Sequence, residues 1–163
     1  MSSPSTLNVT ALTASGGVSI LECWALDPGF TSSSQAGTTG ASILQLGTLA
    51  NASYSVLPAR FNAGRHNAPN VQYVVFLSGL AHITLPNSTD EAWVQGGRDG
   101  LIIATDTVDV SDVGHKTEYP SGDETLALQI PTAHGQVPGH VVVHSGPCER
   151  ELQMAKRRLD ELD

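Results

Sequence analysis

Positive charge is scarce in this chain: 163 residues include 8 lysines and arginines against 16 aspartates and glutamates, a formal net charge of −8. Proteins that bind nucleic acid need a basic face to contact phosphates, so we expect no nucleic-acid partner. Long apolar runs are also missing, and no stretch reaches the roughly 20 residues that a membrane-spanning helix requires. The sequence therefore predicts a protein that neither binds nucleic acid nor crosses a membrane.

Cysteine is nearly absent, with only Cys23 and Cys148 in the chain. The N-terminal residues are polar and lack the charged-then-apolar pattern of a secretory leader. Sequons of the N-x-S/T type at Asn8, Asn51 and Asn87 point the other way, but they also arise by chance in a chain rich in serine and threonine. We therefore interpret both cysteines as reduced thiols and expect a cytoplasmic protein.

Short strand-like segments are what the chain has in abundance. They are rich in β-branched or aromatic residues, often alternate between apolar and polar, and are separated by turn residues. Many short strands at even spacing predict an all-β fold, a jelly-roll barrel or sandwich. The predicted strands are Thr6–Thr13, Val18–Leu26, Ile43–Leu49, Tyr54–Leu57, Val71–Leu77, Ala81–Leu85, Ala92–Gln95, Leu101–Thr105, His115–Tyr119, Thr125–Pro131 and His140–His144.

One α-helix is predicted at the C-terminal end, over residues 147–163, after a single β-domain that spans residues 1–146. Pro147 suits a first helical turn, and Arg157 and Arg158 suit the negative end of the helix dipole. Apolar side chains recur along it at steps of four and three, which predicts a helix packed either on the barrel or on a second subunit. This stripe consists of Cys148, Leu152, Ala155, Leu159 and Leu162.

The segment Thr31–Ser42 consists almost entirely of serine, threonine, glycine and alanine. Such a composition is typical of a flexible surface loop. The alternative is a lid over the mouth of the barrel, and the sequence leaves both interpretations open.

The stretch from His66 to Gln72, with Gly79 seven residues later, keeps the spacing of a known metal motif. The first cupin motif runs G-x5-H-x-H-x(3,4)-E-x6-G. His66 falls on its first histidine, Ala68 on its second and Gln72 on its glutamate. The motif's spacing is retained here, while two of its three metal-binding side chains are replaced.

The stretch from Phe61 to Pro131 resembles a small single-domain cupin that carries H-N-A-P-x-x-Q in place of H-x-H. An altered second cupin motif is visible in Asp99–Asp106 and in Gly114-His115, where His115 falls on the closing histidine. The resemblance implies a jelly-roll barrel of two antiparallel sheets. It does not imply one activity, because this fold hosts many.

His66, Gln72 and His115 form the candidate site. In intact cupins the matching positions bind Fe, Mn, Ni or Zn through imidazole nitrogens and a carboxylate oxygen. Two histidines and a neutral amide make a poorer donor set, so we expect no cofactor. The alternative is a divalent metal such as Fe, Mn, Ni or Zn, held by these same three residues.

Without a metal, the same side chains remain candidate catalytic residues. A histidine in an apolar barrel is a candidate general acid or base, and Gln72 would orient the substrate. An apolar wall with a few polar groups is the usual make-up of a ligand site. The predicted substrate-binding residues are Arg65, Ala68, Val74, Phe76, Ile103, Thr117, Tyr119 and Leu128.

Three functions stay open at this point. The first is a metal-independent enzyme of specialised metabolism that cyclises, isomerises or dehydrates a small hydrophobic substrate of polyketide or terpenoid type. The second is a metal-dependent dioxygenase or lyase with an altered ligand set, and the third is a ligand-binding cupin without turnover. We also expect a homodimer, since barrel sheets with exposed edges commonly pair.

Overall fold

A computed structural model describes residues 5–149 together with Met154, Arg157, Asp160 and Glu161. Over this part of the chain β-strands dominate, and a short 3-10 helix covers Ala133–Gly135. The strands are β1 Asn8–Ser15, β2 Val18–Leu26, β3 Thr31–Ser32, β4 Ser42–Ile43, β5 Ser53–Leu57, β6 Phe61–His66, β7 Gln72–Ser78, β8 Leu80–Thr84, β9 Glu91–Gln95, β10 Leu101–Ala104, β11 His115–Tyr119, β12 Thr125–Pro131 and β13 His140–Ser145.

Two main sheets form the sandwich. The larger has seven strands in the order β13-β2-β1-β10-β7-β12-β5, and the smaller has four in the order β6-β11-β8-β9. Neighbouring strands are antiparallel except β1 and β10, which run parallel. The fold is an all-β sandwich of jelly-roll type, and the predicted fold class is confirmed.

The main core lies between the two sheets and includes Phe76 of β7, Ile83 of β8 and Ile102 of β10. Because side chains alternate across a strand, the neighbours of these residues face the other side of the large sheet. Tyr73 and Ile103 pack there in a second cluster. The large sheet is therefore buried on both faces over part of its area.

Several strands differ from those predicted. The predicted strand Ile43–Leu49 is limited to Ser42–Ile43, and Leu44 and Leu46 pack against the second cluster outside any strand. The strand Phe61–His66 was not predicted, because its residues are mostly exposed and have no apolar alternation. It pairs with β11 at the edge of the small sheet, where little burial is needed.

The segment Thr31–Ser42 begins and ends in a two-stranded ribbon, with Thr31 opposite Ile43 and Ser32 opposite Ser42. Between the strands, the Oγ of Ser33 lies 2.8 Å from the Oγ1 of Thr38. The segment is thus a hydrogen-bonded hairpin on the surface, and its action as a lid stays a prediction.

The two cysteines are bonded to each other, so their interpretation as reduced thiols is wrong. Antiparallel pairing of β13 with β2 places His144 opposite Cys23, and the chain then brings Cys148 to within 4.7 Å, measured between the two Cα atoms. Both cysteines are buried. Disulfides persist mainly in oxidising compartments, so this bond counts against the cytoplasmic location, which stays a prediction.

Removing this disulfide will lower the free energy of unfolding. The bond closes a loop of 125 residues, and restricting the unfolded chain in this way typically stabilises a domain by about 2–4 kcal/mol. Urea denaturation of the Cys23→Ala/Cys148→Ala protein will show this loss, and a reducing agent will produce it in the native protein but cause no further loss in the variant. An unchanged midpoint in the variant would contradict the prediction.

The predicted C-terminal helix falls mostly on residues outside the described part of the chain. Among its described residues, Glu149, Met154, Arg157 and Asp160 have helical backbone. Where its apolar stripe packs, and whether the protein is a homodimer, stay predictions. Within the described residues, no helix combines the length and apolar character needed to cross a membrane.

Candidate functional site

A cavity of about 240 Å³ opens between the two sheets. We call it the central cavity. It brings together most of the predicted site residues, including all three candidate catalytic side chains. Its lining consists of Leu12, His66, Ala68, Pro69, Gln72, Val74, Phe76, Ile83, Ile102, Ala104, His115, Thr117, Tyr119 and Gln129.

Three predicted substrate-binding residues do not line the central cavity. Ile103 belongs to the cluster on the opposite face of the large sheet, and its neighbour Ile102 lines the cavity instead. In the same way Gln129 of β12 reaches the cavity, while the adjacent Leu128 has the opposite orientation. Arg65 is exposed on the edge strand β6. The expectation that these three bind the substrate inside the barrel therefore has no support from the fold.

His66 and His115 are cross-strand neighbours, paired between β6 and β11. Their ring centroids lie 4.5 Å apart, with the rings at 62° to each other. Gly114 allows this approach, since a Cβ atom there would collide with the carbonyl oxygen of His66. Asn67 holds the loop before β11 by donating from Nδ2 to the carbonyl oxygens of Asp106 (3.0 Å) and Ser111 (2.8 Å).

His115 is bonded to a fully buried carboxylate. Its Nδ1 lies 2.6 Å from Oδ2 of Asp106, and that oxygen also accepts a hydrogen bond of 2.6 Å from the hydroxyl of Ser19. A carboxylate only accepts hydrogen bonds, so Nδ1 of His115 carries the hydrogen. In the neutral ring Nε2 is then an unprotonated acceptor, and it is the nitrogen left for the central cavity.

The sequence interpretation missed this pair. Asp106 is the last residue of the altered second motif, but the motif's spacing does not indicate which side chain it contacts. A usable signal is its position just after β10 and nine residues before His115, because β10 and β11 border the same cavity. A loop of that length can turn the acid back onto the histidine.

His66 lies at the mouth of the central cavity and is solvent-exposed on one side. Its Nδ1 donates to the carbonyl oxygen of Gly64 at 3.0 Å. Partial burial of the ring, followed by the neighbouring His115, lowers the pKa of His66 below its usual 6.5, although the bond to Gly64 opposes this. His66 is therefore a neutral imidazole at pH 7 and adds no charge to the cavity.

Several polar side chains reach the cavity. Gln72 is 6% exposed and Thr117 4% exposed, and both line the cavity together with the partly buried Tyr119. Burial raises the pKa of Tyr119 to about 12, so its hydroxyl stays protonated. These groups can exchange hydrogen bonds with a ligand or with water in the cavity.

Gln129 adds a hydrogen-bond donor. Its Oε1 accepts hydrogen bonds from the hydroxyls of Ser55 (2.7 Å) and Ser53 (3.3 Å). The carbonyl end of the side chain is thereby occupied, which leaves the NH₂ group of the amide as the part available to the cavity.

The residues present do not match the metal donor set of an intact cupin. Ala68 has no donor atom, and Gln72 offers a neutral amide oxygen where a carboxylate would stand. Across the part of the chain that the structure describes, no three His, Cys, Asp or Glu side chains are grouped so that they could hold a metal ion. We therefore derive no chemical step through a metal.

Comparison with models of protein families, with curated proteins and with solved structures gave no match. The resemblance to cupins thus rests on the motif residues themselves.

Proposed function

We propose that this chain is a metal-independent enzyme of cupin type that moves a proton on a small molecule held in the central cavity. The bond between Asp106 and His115, with Nε2 of His115 left for the cavity, carries the proposal. A histidine fixed by a buried carboxylate is a common form of general base. The resemblance of the motif residues to small single-domain cupins favours a place in specialised metabolism.

In the proposed mechanism, Nε2 of His115 removes a proton from a carbon next to a substrate carbonyl group. The two electrons of the C–H bond become an enolate, whose oxygen accepts a hydrogen bond from Tyr119 or from the amide of Gln72. Asp106 stabilises the imidazolium that forms. Gln72 also orients the substrate, as the sequence predicted.

The fate of the enolate decides the reaction. Return of the proton from His115 to a different carbon gives an isomer, and its delivery to a β-hydroxyl group expels water and gives a dehydrated product. Attack of the enolate carbon on an electrophile within the same molecule closes a ring. His66, which is neutral and next to His115, is the candidate second proton carrier in each case.

A generic probe tests proton transfer without knowledge of the substrate. In 5-nitrobenzisoxazole a base removes the ring C–H proton, the C–H electrons form a nitrile, and the N–O bond breaks to leave a phenolate. We expect the protein to open this ring faster than buffer does, with saturation as the probe fills the cavity. If the probe binds in the cavity but reacts no faster than in buffer, the protein is a binding module and the proposal fails.

A metal-dependent dioxygenase or lyase is the second candidate, and one observation favours it. Metal-binding histidines commonly donate their other ring nitrogen to a carboxylate, as His115 does to Asp106. The leading proposal predicts much less than one equivalent of Fe, Mn, Ni or Zn in protein dialysed against a chelator. Stoichiometric metal that survives dialysis would support the second candidate instead.

Restoring the missing donors will create metal affinity. The Ala68→His/Gln72→Glu protein regains an imidazole and a carboxylate beside His66 and His115, so we expect it to bind Zn²⁺ measurably by calorimetry. The matched control is Gln72→Glu alone, which adds the charge without the third imidazole and should bind more weakly. Equal affinity of the native protein and the double variant would show that these positions do not converge.

A further inference from the structure

We propose that the central cavity selects small, uncharged, carbonyl-bearing molecules with a flat unsaturated frame, and excludes carboxylates of the same shape. This inference names the substrate class of the proposed enzyme and rests on that function only for the chemical step. The selection itself follows from the size, charge and donor pattern of the lining.

The volume limits the size of the ligand. The cavity holds about 240 Å³, and since a water molecule takes up about 30 Å³ of the liquid, this space corresponds to roughly eight waters. A bound molecule therefore has on the order of ten non-hydrogen atoms inside the cavity. A larger polyketide or terpenoid would have to extend past His66 at the mouth.

The charge pattern excludes ions. Among the described residues that line the cavity, none is an Asp, Glu, Lys or Arg. An ion in this cavity would lose its hydration without gaining a charged partner, which is strongly unfavourable. The buried carboxylate of Asp106 behind His115 adds repulsion against an anion.

The donors favour a carbonyl group. The hydroxyl of Tyr119 stays protonated because its pKa is about 12, and Gln129 has its amide NH₂ free since Ser55 holds its oxygen. Both side chains line the central cavity, and each can donate to an acceptor oxygen of a ligand. Phe76 lies beside Tyr119, with the two ring centroids 6.2 Å apart. A flat ring that lies against this pair would have favourable edge or stacked contacts.

Acetophenone and benzoate form a matched pair of probes, because they share the ring and the number of non-hydrogen atoms but differ in charge. We expect titration of ¹⁵N-labelled protein by NMR to give a dissociation constant on the order of 1 mM for acetophenone, as is usual for so small a ligand. Shifts should concentrate at Gln72, Thr117 and Tyr119. Binding of benzoate should be at least about tenfold weaker, a difference of about 1.4 kcal/mol; equal or tighter binding of benzoate would overturn the proposal.

A charge-reversal variant gives a second test. Gln129→Lys places a cation at the cavity and should reverse the preference toward benzoate, while Gln129→Met, of similar length, should keep the preference for acetophenone. The tests of binding and of catalysis can fail independently. If the protein prefers acetophenone but binds 5-nitrobenzisoxazole without reacting, the inference about selectivity is retained and the proposed function is wrong. If the protein catalyses the reaction but binds benzoate as well as acetophenone, the proposed function is retained and this inference is wrong.

Discussion

Replacing His115 with glutamine will lower the rate of 5-nitrobenzisoxazole opening by about 10²–10⁴-fold, the usual contribution of a general base. Glutamine is close to histidine in length and can still donate a hydrogen bond to Asp106, so the packing of the cavity is largely retained. It has no nitrogen basic enough to take the probe's proton. The measurement is the steady-state rate at saturating probe, with NMR titration showing that the variant still binds it.

His82→Gln is the matched control for this change. His82 lies on β8 of the small sheet, where its Nε2 is 2.7 Å from Glu91 and its ring stacks on Trp93 at 3.7 Å. It does not line the central cavity. We expect the control to keep the native rate; a comparable loss in both variants would show that the effect on His115 is not catalytic.

Asp106→Asn will lower the rate of probe opening by a similar factor, about 10²–10⁴-fold. We expect it to change which ring nitrogen of His115 carries the hydrogen, while the ring stays in its position. With its NH₂ group in the place of Oδ2, the asparagine would face Nδ1 of His115 with a hydrogen and would donate to the hydroxyl of Ser19, which can donate to Ser111 instead. The ring would then carry its hydrogen on Nε2, and the base would be lost from the cavity while the shape is kept. A triad carboxylate changed to its amide has an effect of this order in serine proteases.

The tautomer of His115 shows whether Asp106 acts by fixing the position of the ring hydrogen or only by supporting the structure. ¹⁵N NMR of the imidazole should show the hydrogen on Nδ1 of His115 in the native protein and on Nε2 in Asp106→Asn. Asp112→Asn is the control, since Asp112 is exposed and close by in sequence. A lowered rate in Asp106→Asn with the tautomer unchanged would contradict the positioning role of Asp106.

Alternation along two strands was enough to predict much of the cavity. Gln72, Val74 and Phe76 share one face of β7, and His115, Thr117 and Tyr119 share one face of β11, so fixing one residue of each strand fixes the others. All six line the cavity. The motif spacing supplied the fixed points, which is why these residues were predicted together.

Alternation failed where both faces of a strand are apolar. The run Leu101–Ala104 offers an apolar side chain to either side of the large sheet, and Leu126–Ile130 is similar except for Gln129. The sequence could not show that the outer face is covered by Leu44 and Leu46. Ile103 and Leu128 were therefore assigned to the wrong face.

The sequence did not predict which side chains distant in the chain contact each other. Cys23 and Cys148 are separated by 125 positions and meet only because β13 pairs with β2. In the same way, Asp106 accepts a hydrogen bond from Ser19 of β2, which is 87 positions away in the chain. Spacing rules describe single strands, whereas these contacts depend on which strands become neighbours.

Chemical rescue tests the central claim most directly. The His115→Ala variant leaves a space of imidazole size beside Asp106, and free imidazole added to the solution can fill it and replace the missing base. We predict that imidazole raises the variant's rate of probe opening with saturation, well above its effect in buffer alone, and that it raises the rate of His82→Ala by no more than its effect in buffer. If His115→Ala already reacts at the native rate, or imidazole accelerates it no more than it accelerates the reaction in buffer, His115 is not the base.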